Sequence, residues 1–148
     1  HKSHLIVSLM QGKADAVQRF TLLTQVLCSL LRTANAIGVY KGNQSLLIPK
    51  QDYLNEAELM TEEYLPLNLW IYFGLRVTET GNAGYTYGLR AFNKTEMEIL
   101  HSSKSLEAIV HSTLGTLYAG LINRPGFSSS GIRCRGTRRG SSSRLPRS

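Results

Sequence analysis

Apolar side chains recur at every second position through Leu69, Ile71, Phe73, Leu75 and Val77, and again through Tyr85, Tyr87, Leu89 and Ala91. This spacing predicts two strands, because alternate side chains of a strand share one face. Between them Gly81-Asn82-Ala83-Gly84 supplies the turn, since Gly and Asn accept the positive φ that a reversal needs. A central hairpin over about 69–92 follows. Its apolar side carries both tyrosines, and its second, partly polar side carries Trp70, Tyr72, Gly74 and Arg76 on one strand and Thr86, Gly88 and Arg90 on the other.

Strand-like and helical periods alternate around this hairpin. His4 to Met10 is a short apolar run with β-branched residues and reads as a buried first strand. Asp15 stands where a carboxylate caps the start of a helix. Beyond it Phe20, Leu23, Leu27, Leu30 and Leu31, with Val26 beside them, make an apolar stripe through Ala34. Ile37 to Tyr40 returns as a strand, and a strand, a helix and a strand in this order favour a right-handed crossover with the two strands parallel. Lys41-Gly42-Asn43-Gln44 is a turn, Ser45 to Ile48 a third strand, and Gln51 to Glu62 a surface helix with Tyr53, Leu54, Ala57 and Met60 inward. Glu96 to Leu100 forms a last short strand. A final helix, capped by Ser103 or Ser105, buries Leu106, Val110, Leu114, Leu117 and Leu121. Its Gly115 and Gly120 are tolerable where another element packs closely.

The expected fold is a single two-layer α+β domain over 1–123. It has a mixed, mostly antiparallel sheet and two long helices packed on one face. Charge changes the picture only at the end of the chain. The formal net charge is +7, and residues 124–148 supply all of it through seven arginines with no acidic residue. This Arg/Ser/Gly-rich stretch lacks any helical or strand period and reads as a disordered tail. Its Gly-Ile, Gly-Thr, Gly-Ser and Ser-Arg pairs are those that cloning sites encode, and a non-native origin outweighs a basic arm that binds anions non-specifically. The folded part sums to zero and points to no specific nucleic acid. No apolar run approaches membrane-spanning length, and Leu5 to Met10 is too short for a signal-peptide core. The chain opens on His1 rather than methionine, as a processed product or a fragment would.

Chemistry-bearing motifs are scarce. Cys28 lies beside an apolar stripe, where a small buried hydrophobe outweighs a nucleophile. With Cys134 in the tail, no structural disulfide is expected, and the setting is a reducing cytoplasm. His1, His4, His101 and His111 have no metal-ligand spacing. Gly38-x-x-x-Gly42 is not followed by the Gly-Lys-Ser/Thr of a phosphate loop, and no nucleophile elbow is present. No catalytic residue, metal or cofactor is expected.

The order of segments resembles the bacterial domain-of-unknown-function 4261 family over roughly 4–123. The resemblance rests on the His-x-x-His-Leu-Ile-Val-like start, Leu22-Leu23-Thr24-Gln25-Val26, Ile37-Gly38-Val39-Tyr40, Leu67-Asn68-Leu69-Trp70-Ile71 and Tyr87-Gly88-Leu89-Arg90-Ala91-Phe92. Family members carry an aromatic residue where this chain has Lys41, and continue into a polar turn and strand where the tail stands here. The resemblance implies a fold and a bacterial cytoplasmic setting. It implies no activity and no site residue.

The expected function is a non-enzymatic binding module that recognises a protein partner or a second copy, not a membrane. Trp70, Tyr72, Arg76 and Arg90 on the second hairpin face are the residue types that dominate interfaces. Burial of Trp70 and Tyr72 beneath the acidic helix carries equal weight. The alternative function is a small-molecule enzyme in which Arg76, Arg90 and Tyr87 hold an anion beside an acid such as Glu79 or Glu98.

Overall fold

The first long helix begins where Asp15 offers its carboxylate to the backbone. In the computed structural model, which describes residues 3–10, 14–61 and 64–122, Asp15 accepts from the Val17 amide at 3.0 Å while Gln18 accepts from the Asp15 amide at 3.3 Å. This capping box occupies amides that the first helical turn leaves open. Helix α1 then runs Ala16–Thr33. Its inward line is Val17, Thr21, Thr24, Cys28 and Leu31, whereas Phe20 and Leu27 are half-buried and Leu22 and Val26 face solvent. The stripe expected at Phe20, Leu23, Leu27 and Leu30 is therefore turned partly outward. Apolarity hides such a line, because Thr24 enters it by donating its hydroxyl to the Phe20 carbonyl at 2.8 Å.

Strands β1, Gly38–Lys41, and β2, Leu46–Pro49, follow as a small antiparallel hairpin with Val39 opposite Ile48. A 3-10 turn at Gly42–Gln44 joins them, and Ser45 closes it at φ 49°. The parallel crossover is not formed. Among the described residues His4 to Met10 pairs with no strand, and it is mostly exposed, not a buried first strand. Two strands separated by a few residues close at a lower entropic cost than two separated by a helix. Helix α2, Lys50–Glu58, buries Tyr53, Leu54 and Ala57 as its period predicts, with Met60 beyond its end. Arg32 of α1 reaches Glu58 of α2 at 3.0 Å.

A single helical turn, α3 at Leu67–Trp70, leads into β3, Tyr72–Thr78, then β4, Gly81–Tyr87, and β5, Glu98–Ser102. These three form an antiparallel sheet in the order β3-β4-β5. The α+β class stands, but the strands fall into two antiparallel sheets instead of one mixed sheet. The hairpin is also shorter than 69–92, since Leu69 and Trp70 are helical and Leu89–Phe92 is a 3-10 turn. Its reversal is Glu79-Thr80, with Gly81 leaving the turn at φ 135°. The expected turn residues Ala83 and Gly84 are instead paired with Arg76 and Leu75. That change of register by an odd number of residues sends Tyr85 and Tyr87 to the face opposite the one expected.

Helix α4, Leu106–Ile122, starts where Ser105 accepts from the Ala108 amide at 3.2 Å. Ile109, Thr113, Leu117 and Leu121 point inward, and α4 packs on β3 and β4. Helix α1 packs mainly on α2 and the 89–92 turn. A Cβ added at Gly115 or Gly120 would meet no neighbour among the described residues, contrary to the close packing that would have accounted for them. Residues 123–148, with the expected tail at 124–148, lie outside the described residues, as do Glu62 and Glu63.

The core centres on three rings. Phe20 of α1, Trp70 of α3 and Phe92 of the second 3-10 turn lie 4.7 to 5.8 Å apart. The Trp70 indole N–H donates to Thr24 Oγ1 at 2.9 Å inside this cluster. Replacing Thr24 by Val keeps the shape and leaves the indole N–H without its acceptor. The variant should lose about 1–3 kcal/mol, measured by urea unfolding on the emission of the single tryptophan. Two glycine substitutions should have opposite signs in the same assay. Gly88→Ala, at φ 120° and against Gln44 and the Trp70 carbonyl, should destabilise by roughly 1–3 kcal/mol. Gly115→Ala should stabilise by about 0.5–1 kcal/mol.

Candidate functional site

The pairing of β3 with β4 puts Tyr72 beside Tyr87, Gly74 beside Tyr85 and Arg76 beside Ala83 on one face of the sheet. The other face, with Phe73, Leu75, Gly84 and Thr86, lies towards α4, and Ile109 of α4 fills the space that the missing Gly84 side chain leaves. The first face is open. Tyr85 and Tyr87 are 47 % and 48 % exposed, Tyr72 is half-buried and Arg76 is exposed. Tyr72 and Tyr85 have ring centroids 6.0 Å apart at 58°, a tilted contact. The Tyr85 ring crosses directly over Gly74, where a Cβ would come within 2.2 Å of ring atoms. Glu98 of β5 stands beside Tyr85 and is also exposed.

Three of the five expected binding residues, Tyr72, Arg76 and Tyr87, thus share this surface. Trp70 does not, because it is helical, points into the core and is only 3 % exposed. Trp70 is buried, as the second expectation had it, with Phe20 and Thr24 of α1 and Phe92 of the 89–92 turn against its ring. Arg90 is exposed on that turn, off the face. Tyr85, expected with Tyr87 on the apolar side, belongs here as well. The cross-strand match of an aromatic with Gly74 is the signal that identifies its true side.

A second feature lies at the end of β4, a hollow of about 320 Å³ lined by Phe20, Asn43, Trp70, Tyr87, Arg90 and Glu96 among others. It joins Tyr87 and Arg90 to an acid, but the acid is neither Glu79 nor Glu98. Glu79 is exposed at the hairpin tip. Glu96 Oε1 accepts from the Gly88 amide at 2.9 Å and the Arg90 amide at 3.4 Å, and its Oε2 accepts from Thr86 Oγ1 at 3.0 Å. Both oxygens hold the start of the 89–92 turn, as a capping carboxylate does. Among the described residues no group of three His, Cys, Asp or Glu side chains could hold a metal ion.

Behind the hollow, the turn of the small hairpin grips the end of α3. Lys41 Nζ donates to the Leu69 carbonyl at 2.5 Å, and Gln44 Nε2 donates to the Trp70 and Tyr87 carbonyls at 3.1 and 3.3 Å. Burial pushes the Lys41 ammonium down to about 8. Near α4, burial raises Tyr118, whose hydroxyl donates to the Leu65 carbonyl, and burial together with Glu56 raises Tyr64.

No family model, no curated protein and no solved structure matches this chain. The surface is therefore interpreted from its own chemistry. No helix among the described residues is long and apolar enough to cross a membrane.

The lysine gives a pH dependence with a definite sign. Between about 8 and 10.5 the unfolded chain keeps the Lys41 proton that the folded chain has released, so stability rises with pH. Above 10.0, the ordinary tyrosine value, unfolded tyrosines ionise while Tyr64 and Tyr118 stay protonated in the fold, so stability falls. Urea midpoints at successive pH values should show the rise in the wild type and lose it in Lys41→Met. An equal rise in both would remove Lys41 as its source.

Proposed function

We propose that this chain is a non-enzymatic interaction module that binds a protein partner through the open face of Tyr72, Tyr85, Tyr87 and Arg76. One observation carries the proposal: two tyrosines about half exposed on a regular sheet, of which Tyr85 is braced by the Tyr72 ring and by close approach to Gly74. Tyrosine offers large amphipathic contact area at a low entropic cost, and arginine beside it adds directed donors. A sheet face holds such side chains in fixed positions, which lowers the ordering cost of association. Glu98 at the border supplies a charge opposite to that of Arg76.

The enzymatic alternative has less support. Its hollow contains Arg90 and Tyr87, yet both oxygens of Glu96 are spent on the fold. Cys28 is buried, as an inert thiol would be, and a reducing cytoplasmic setting belongs to the proposal.

The full chain, immobilised, should retain at least one protein from a lysate of its source cells. The double variant Tyr85→Ala/Tyr87→Ala should weaken that retention by a factor of roughly 30 or more, the scale of one lost hot spot. Its melting temperature should stay close to that of the wild type. Equal retention by both proteins would overturn this role for the face.

A further inference from the structure

The two edges of the three-stranded sheet are built differently. On the β5 side, the edge is short and interrupted: the pairing with β4 shifts between Asn82 and Gly84, His101 sits at φ 53°, and Glu98 is exposed. Irregularity, charge and brevity of this kind are how sheets avoid adding a further strand. On the β3 side, pairing with β4 is continuous over Tyr72–Thr78, without proline or bulge and with Arg76 as its one charge. Among the described residues, no backbone hydrogen bond reaches the outer edge of β3. Val77 is 73 % exposed there and Leu75 also faces solvent.

The same chain carries an unpaired strand-like segment. Leu5 to Met10 contains five apolar residues in six and joins no sheet among the described residues. Leu5, Ile6 and Met10 are 70 %, 80 % and 84 % exposed, and only Val7 and Leu9 are partly covered, so the segment offers apolar surface that nothing in one copy covers among the described residues. Placed along β3, Leu5, Val7 and Leu9 would continue the apolar row of Phe73, Leu75 and Val77 on the α4 side. Ile6, Ser8 and Met10 would then extend the tyrosine side. The segment and the edge are also similar in length.

We propose that the outer edge of β3 takes up Leu5–Met10 of a second copy as an added strand, two copies exchanging these segments about a two-fold axis. A single copy leaves both the strand and the edge unsatisfied. A symmetric pair satisfies each of them twice, because the contact is self-complementary. Main-chain hydrogen bonds supply the attachment, and the alternating side chains set the register. This contact uses the main chain of the β3 edge, which adjoins the tyrosine face but does not use its rings, so either can fail alone.

Light scattering on the full chain over a range of concentrations tests the proposal. The wild type should have the mass of a dimer. Val7→Pro removes a ladder donor from the incoming strand, and Val77→Lys places a charge on the receiving edge; each should weaken the dimer at least tenfold with an unchanged far-ultraviolet spectrum. Val7→Pro keeps an intact edge and Val77→Lys an intact strand, so differently tagged copies of the two should co-purify when mixed, while neither co-purifies with itself. A wild type that stays monomeric at its highest soluble concentration overturns the exchange, as does a mixture that fails to pair. A dimer that survives both substitutions and dissociates in Tyr85→Ala/Tyr87→Ala also overturns it, and assigns self-association to the tyrosine face.

Discussion

The bond from the Trp70 indole to the Thr24 hydroxyl is the constraint on which the rest of the arrangement depends. A buried N–H must find an acceptor, and the only tryptophan of the chain finds one on the inward line of α1. With Phe20 and Phe92 around it, this contact joins three segments far apart in sequence. It also fixes how far α3 turns before the chain becomes extended at Ile71. β3 therefore starts from a fixed point, and the pairing of Tyr72 with Tyr87 follows. Lys41 and Gln44 hold the same point from outside by binding the carbonyls of Leu69 and Trp70. The small hairpin works as a brace, and its partly buried lysine is the polar group that bracing requires.

Glu96 does comparable work at the other end of the hairpin. By taking the amides of Gly88 and Arg90 together with the Thr86 hydroxyl, it stops β4 after Tyr87 and begins the turn that carries Phe92 into the core. Tyr87 is thereby the last residue of the open face and the first wall of the hollow. A carboxylate in a hollow beside an arginine resembles a catalytic pair on inspection. Its hydrogen bonds identify it as a cap.

Much of this fold was legible in the sequence, and the failures have physical causes. The capping role of Asp15, the inward side of α2 and the buried state of Cys28 follow from local rules that the fold leaves intact. Register was not legible. Gly81-Asn82-Ala83-Gly84 satisfies every local requirement of a turn, but Glu79-Thr80 makes the turn, and Gly84 is needed flat beneath Ile109. One odd step in register exchanged the faces of a whole strand, which hid the true side of Tyr85 and Tyr87. Leu69 and Trp70 read equally well at a strand period, and only their tertiary partners make them helical. The segment Leu5–Met10 has the composition of a strand, but composition cannot specify a neighbour to pair with.

The crossing of the Tyr85 ring over Gly74 has an evolutionary consequence. Glycine at 74 is buried and chemically silent, so drift to alanine would look harmless. Yet the added methyl would meet the far end of a half-exposed tyrosine, which can swing aside at little cost to the fold. Such a change would pass a selection for folding and fail one for recognition. Positions 74 and 85 should accordingly drift as a pair, with small residues at 74 retained only in lineages that keep a flat ring at 85.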